Sequence, residues 1–164
     1  MSLTKKKLLK MIPKLRRYAY SLTGSADRGD DLLQDSIVKI LSIQNESSIE
    51  NFNAYFYKII SNAWNDTLKK KYLNTTPIDE YSNYIPSQDI DIQENIETRQ
   101  QSKNLHAIIN QLSDNLKTTF LLSTVEEKSY KEISEILNIP LGTVMSRLNE
   151  ARKQLKKLVD KEEL

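Results

Sequence analysis

The sequence predicts an all-α fold made of two small helical domains joined by an acidic linker. Three observations predict it. The 164 residues hold only three glycines. They show little of the two-residue alternation that marks strands, while apolar residues recur at spacings of three and four. From about Asn74 to Asn95 that periodicity stops, in a stretch containing Pro77, Pro86 and paired Thr, Ser and Asn residues. The charge changes there as well: residues 76–98 carry six acids (Asp79, Glu80, Asp89, Asp91, Glu94, Glu97) and no Lys or Arg. The flanks are mildly basic, 13 basic to 7 acidic residues up to Thr75 and 11 to 9 from Arg99 onward. The boundaries that follow are a first domain at 1–73, a linker at 74–98 and a second domain at 99–164. The net charge of +2 conceals this pattern, which suits an anion-binding pair of domains as well as a plain solvated spacer.

In the first domain, Leu8, Leu9, Ile12, Leu15, Tyr18, Ala19 and Leu22 mark a helix that Gly24 closes. Pro13 either starts or kinks it. A second helix runs from about Asp27 to Ser42, with Asp27, Asp30 and Asp31 near its N-terminus, where negative charge suits the dipole. Leu32, Leu33, Ser36, Ile37, Ile40 and Leu41 form its buried face. A third extends from near Asn51 to Tyr72, placing Phe52, Tyr55, Phe56, Ile59, Ile60, Ala63 and Leu68 in or near a core and ending in Lys69-Lys70-Lys71.

The second domain opens with a helix from Ile96 to Leu112 whose stripe is Leu105, Ile108, Ile109 and Leu112. Ser113 caps the next, which carries Leu116, Phe120, Leu121 and Val125. Ser129 and Glu132 have capping-box spacing, and Ile133, Ile136 and Leu137 follow as one apolar face. Asn138 tolerates the left-handed conformation that ends a helix, and Pro140 suits the first turn of another. The last helix buries Val144, Leu148, Ala151 and Leu155. It leaves Thr143, Ser146, Arg147, Asn149, Arg152, Lys153, Lys156 and Lys157 outward. This is a helix-turn-helix whose second helix can neutralise phosphates and hydrogen-bond base edges. An ordinary helical hairpin with a solvated basic face would give the same pattern.

Other chemistry is constrained. The absence of cysteine excludes disulfides, thiol nucleophiles and thiolate metal sites. His106 stands alone and suits packing or surface. Lys10 and Lys14 interrupt the apolar run after the N-terminal lysines, so no signal peptide or membrane insertion is expected. A soluble, cytoplasmic protein is. The third helix mixes Tyr55, Phe56, Tyr57, Trp64 and Tyr72 with Lys58, Lys69, Lys70 and Lys71. That mixture can stack on unpaired bases and track a backbone, or simply build a core with solvated lysines. Asp30, Asp31 and Asp35 lack the partners that would complete a metal or acid–base site, so docking on a basic partner is the better role and no enzyme is expected.

The ordered set of segments resembles a bacterial RNA polymerase sigma factor of the sigma-70 family, extracytoplasmic-function type. The segments are Asp30-Asp31-Leu32-Leu33-Gln34-Asp35, Phe52 to Ile59 with Asn62 and Asp66, Leu112-Ser113 with Phe120-Leu121-Leu122, and Ser129 to Leu155. The resemblance implies that Asp30, Asp31, Gln34 and Asp35 dock on core RNA polymerase. It implies that Tyr55, Lys58, Asn62, Trp64, Lys69, Lys70 and Lys71 hold unstacked bases of the promoter −10 element, which aids melting. It places Ser129, Thr143, Ser146, Arg147, Asn149, Arg152, Lys153 and Lys156 at the −35 element. An anti-sigma factor is a further implied partner, and no metal or small-molecule cofactor is implied. The chain departs from the family at Tyr55, where Trp is usual, at Ser61, where Arg is frequent, and at Met145 and Glu150, often basic in relatives. Two rivals stay open: a sigma-like adaptor that titrates an anti-sigma factor, and a helix-turn-helix regulator that works without polymerase.

Overall fold

The computed structural model describes residues 2–73 and 104–162, and every described element is helical. The expected linker, 74–98, and the start of the helix expected from Ile96 lie outside the described residues.

Helix α1 (Leu3–Thr23) begins at Ser2, whose side chain accepts a hydrogen bond from the Lys5 amide, and ends at Gly24 in the left-handed conformation, φ 72°. Pro13 therefore lies in the helix interior and does not start it. The carbonyl it strands, that of Leu9, belongs to an exposed turn. Leu9 itself is 58 % exposed, because the stripe facing the core is Leu8, Leu15, Tyr18, Ala19 and Leu22. Helix α2 (Ala26–Leu41) starts at Ser25 and buries Leu32, Leu33, Ser36 and Ile40, while Leu41, at its end, stays exposed. Gly29 allows α2 to press against α1: a Cβ there would lie 2.3 Å from Tyr20 Cδ1. After a short 3₁₀ turn (Glu46–Ser48), α3 (Phe52–Leu73) buries Phe56, Tyr57, Ile60, Ser61 and Ala63 against both.

The second unit comprises α4 (residues 104–110), α5 (Asp114–Thr124), α6 (Tyr130–Leu137) and α7 (Leu141–Glu162). Leu105, expected on the apolar stripe, is exposed, as is Val125, which lies just beyond α5. Ser113 occupies the N-cap of α5, but its side chain makes no capping bond.

The two units pack together. α6 lies on α3, α5 meets α1, and one continuous apolar cluster runs from Leu8 through Phe56 and Ile60 to Leu122, Ile133, Val144 and Leu148. A charged group is buried in that seam. Glu126, in the turn after α5, has a side chain only 1 % exposed. Its Oε2 accepts from the Arg17 guanidinium at 2.8 Å and from the Tyr57 hydroxyl at 2.7 Å, and its Oε1 accepts from Arg17 Nε at 3.2 Å. The next residue, Glu127, holds φ 54°, unusual for a residue other than glycine or asparagine and a local cost that the buried contacts of Glu126 offset.

Candidate nucleic-acid interface

The helix-turn-helix forms as its sequence signals require. Ser129 Oγ accepts from the Glu132 amide at 3.1 Å, which satisfies one of the orphan donors that open α6. Asn138 ends α6 at φ 53°. Pro140 sits one residue ahead of α7 and offers its carbonyl to the amides of Thr143 and Val144 at 3.0 and 3.1 Å. Val144, Leu148 and Ala151 are fully buried, so the helix is fixed along one edge.

That anchoring decides which side chains are free. Ser146, Asn149, Arg152, Lys153 and Lys156 are exposed; Thr143 is half-buried. Ser146 donates its hydroxyl proton to Thr143 O at 3.1 Å, leaving only acceptor capacity for an outside group. Glu150 accepts from Gln154 Nε2 at 3.0 Å, so its charge is partly engaged along its own helix. Arg147 differs from the other cations. It is half-buried and lines a crevice of about 150 Å³ with Asn65 of α3, Asn115 and Thr118 of α5, and Leu137 and Ile139.

On the first unit, Asp31, Gln34 and Asp35 are exposed along α2, whereas Asp30 is half-buried, accepting from Tyr20 Oη at 2.7 Å with Arg16 at 3.9 Å. A groove of about 820 Å³ between α2 and α3 brings Asp31 and Asp35 together with Trp64, Lys69 and Lys70. The Trp64 indole N–H lies shielded there and makes no hydrogen bond to the described residues. Asn62 and Lys71 are exposed, while Tyr55 and Lys58 are half-buried. Burial pushes the Tyr55 hydroxyl above its ordinary range. Ser61, where relatives often carry Arg, is 1 % exposed and bonded to Tyr18 at 2.7 Å, so this position faces the core.

Sequence reasoning missed the cross-unit polar groups. Glu126 raises the basicity of Arg17 through their hydrogen bond, and burial above all holds the Tyr57 hydroxyl protonated, reinforced by the bond to Glu126. Lys128 donates to Asn53 Oδ1 at 2.6 Å and sits 4.6 Å from the Tyr57 ring centroid. Lys117 reaches across to Leu22 O at 2.8 Å, capping the last turn of α1, and burial lowers its pKa to about 8. These residues are isolated in sequence; only the fold assembles them.

Comparison with known proteins bears on both units. The family model described as Sigma-70, region 4 matches residues 102–155, and the one described as Sigma2 domain of PhyR matches residues 8–58. Both units therefore resemble sigma-factor domains, in the same order along the chain. It is 27 % identical to the ECF RNA polymerase sigma factor EcfG of Rhodopseudomonas palustris, covering 93 % of this chain and 82 % of that relative. It is likewise 27 % identical to SigW of Bacillus subtilis, covering 88 % and 82 %. Among solved structures, the sigma factor RpoE of Bartonella quintana, in complex with the anti-sigma factor NepR, superposes with TM-score 0.74 at 26 % identity, over 95 % of this chain and 96 % of that one. The anti-anti-sigma factor PhyR from the same organism shares the fold, with TM-score 0.62 at 20 % identity over 93 % of this chain and 49 % of that one. The match to the Sigma2 domain stops at Lys58, so Asn62, Trp64 and Lys69 to Lys71 lie beyond it. Among the described residues no helix is long and apolar enough to cross a membrane.

Proposed function

We propose that this chain is a sigma factor that joins core RNA polymerase in the cytoplasm and directs it to promoters, by binding and not by catalysis. The observation that carries the reading is α7: a helix anchored by Val144, Leu148 and Ala151 that holds Asn149, Arg152, Lys153 and Lys156 outward, behind a capped first helix. Such a helix fits the major groove, with its first turns at base edges and its basic end on phosphates. Ser129, Thr143 and Ser146 stand at the near end, and this surface reads the −35 element. Asp31, Gln34 and Asp35, with the partly engaged Asp30, form the polymerase-docking face of α2. Tyr55, Lys58, Asn62, Trp64 and the lysine triplet of α3 hold unstacked −10 bases, whose extrusion costs a few kcal/mol that stacking and hydrogen bonds must recover. The division into a −10 domain at 1–73, a linker at 74–98 and a −35 domain at 99–164 belongs to the same proposal.

The packed arrangement bears on how it would work. With α6 on α3, and Arg147 beside Asn65, the two readers lie on one compact body. Promoter elements more than one helical turn apart, about 34 Å or more, require them to separate. An anti-sigma factor is a natural ligand of the packed form; the RpoE of similar fold forms a complex with the anti-sigma factor NepR. A second reading, a sigma-like adaptor that titrates an anti-sigma factor, is favoured by the match of residues 8–58 to the sigma2 domain of PhyR.

Run-off transcription with purified core polymerase on fragmented genomic DNA separates the two. Discrete new transcripts that depend on this chain are the expected result. Tight binding to an anti-sigma factor with no transcripts would establish the adaptor. Duplex DNA binding without polymerase binding would establish a stand-alone regulator.

A further inference from the structure

The first turns of α7 carry a group of residues that phosphate binding and hydrogen-bonded base reading leave unexplained. Leu141 and Met145, one turn apart, are 49 % and 53 % exposed. A single exposed apolar side chain is ordinary. Here two adjoin on the leading turns of a helix whose core-facing stripe, Val144 and Leu148, is complete without them. Gly142 lies beside them, two residues before Val144 and so nearly opposite the buried edge. A Cβ built on Gly142 meets nothing within 4 Å, so no internal packing requires glycine there. Glycine in a helix costs about 1 kcal/mol relative to alanine. A bare backbone at that outward position admits close approach by something outside the chain.

The polar groups nearby point the same way. The Ser146 proton is engaged by Thr143 O, so the exposed side-chain amide of α7 is Asn149, two turns along from Leu141. Arg147 points into the crevice shared with Asn65, on a different flank from Met145. The leading edge is therefore apolar and closely approachable, and the exposed cations Arg152, Lys153 and Lys156 follow on the same helix to hold a polyanion against it. In the major groove one base presents an apolar group, the C5-methyl of thymine.

We propose that Leu141 and Met145 read thymine methyl groups in the duplex element, making α7 a reader of A·T pairs in a defined strand orientation. The proposal rests on the promoter-reading function above and adds its base preference. Gly142 brings the helix close enough for both side chains to reach, and Asn149 hydrogen-bonds a neighbouring base edge.

The test is chemical substitution in the DNA. Duplexes bound by the full chain with core polymerase are selected from a random pool. The enriched duplex is then resynthesised with deoxyuridine replacing thymidine one position at a time, which removes only the methyl. The expected result is thymine at one or two positions under the start of α7, and about fourfold weaker binding for each methyl removed, the effect of one buried methylene. Met145→Ala should bind the thymidine and deoxyuridine duplexes equally at the Met145 position. Met145 is half exposed, so this variant should keep the helical circular dichroism of the parent. Equal binding of the two duplexes by the unaltered chain, with a normal salt dependence, would overturn the methyl reading and leave promoter binding intact. An enriched element without thymine there would overturn it too. Failure to enrich any duplex, with no salt-dependent binding, would remove the promoter-reading function itself and the methyl reading with it.

Discussion

Glu126 and the pair Asp31 and Asp35 present the same carboxylate under opposite conditions. The Glu126 side chain is 1 % exposed, with a guanidinium on both oxygens and a tyrosine hydroxyl on one. Asp31 and Asp35 project from α2 into solvent. A buried carboxylate must have its charge and lone pairs met, and the groups that meet it come from α1 and α3, so the turn after α5 can dock on the first unit in only one register. Exposed carboxylates cost nothing when unpaired and can wait for a partner. The first arrangement fixes internal geometry; the second supplies an external surface. Which role a charge has is decided by burial, not by its type.

The comparison breaks most visibly at Arg17. Arg17→Ala leaves a buried carboxylate with one tyrosine for company and should destabilise the chain by about 3 kcal/mol, the low end for an orphaned buried charge because half of the Arg17 side chain is in water. Adding Glu126→Gln removes the charge while keeping an acceptor for Tyr57, so the double variant should lose less than Arg17→Ala alone. Urea denaturation measures both, and losses that simply add would show that the pair is not coupled. Asp31→Lys with Asp35→Lys is the counterpart on the exposed side. Stability should stay within about 0.5 kcal/mol. Core polymerase binding should weaken by about 2 kcal/mol or more, since like charge now faces a basic docking site. Retained binding in a pull-down would remove α2 from the docking surface.

Exposed and buried are legible in this sequence to different degrees. Helix positions followed from local signals that need no tertiary context: Ser129 ahead of Glu132, Asn138, Gly24, and the apolar stripe of α7. The outward Arg152, Lys153, Lys156 and Lys157 followed too, because a stripe defines its own opposite face, whereas Arg147, expected with them, is half-buried against α3 and α5. Of the two readings left open for Pro13, only a position inside the helix fits, because propensity alone does not forbid a proline whose stranded carbonyl lies on an exposed turn. Leu41 and Leu105 were misplaced because apolar residues at or beside a stripe remain exposed when no partner helix reaches them. Glu126, Arg17, Lys117 and Tyr57 were invisible as a set. They are separated by up to 109 residues, and no periodicity marks a polar group that a second unit will bury.

A smaller effect probes the same seam through pH. Burial holds the Lys117 ammonium at a pKa of about 8, below the usual 10.5. From pH 8 upward the unfolded chain binds more protons at this residue than the folded one, so stability rises with pH across that interval. Near pH 10 the sign reverses, because Tyr18 and Tyr57, raised by burial, stay protonated in the fold while unfolded tyrosines ionise. Lys117→Met should reduce the rise between pH 8 and 10 to the part that Lys128, also lowered by burial, supplies, and retain the fall above it. A rise left unchanged in the variant would mean that the Lys117 ammonium titrates in the fold as it does in the unfolded chain.

The smallest effect separates two arginines on one helix. Arg152 is exposed; Arg147 lines the crevice beside Asn65. Removing one cation from a DNA phosphate makes the slope of log affinity against log salt shallower by about 0.9. Arg152→Ala should show that drop on duplex DNA whether or not polymerase is present, because none of the described residues covers it. Arg147→Ala should leave the slope of the free chain unchanged and lower it only in the polymerase-bound chain, where the units must part to span two elements. The pair thus measures opening without any label on the protein. If Arg147→Ala lowers the slope of the free chain as much as Arg152→Ala does, then the seam near Asn65 is open to DNA before polymerase binds, and the buried Glu126 orients the two units without holding them shut.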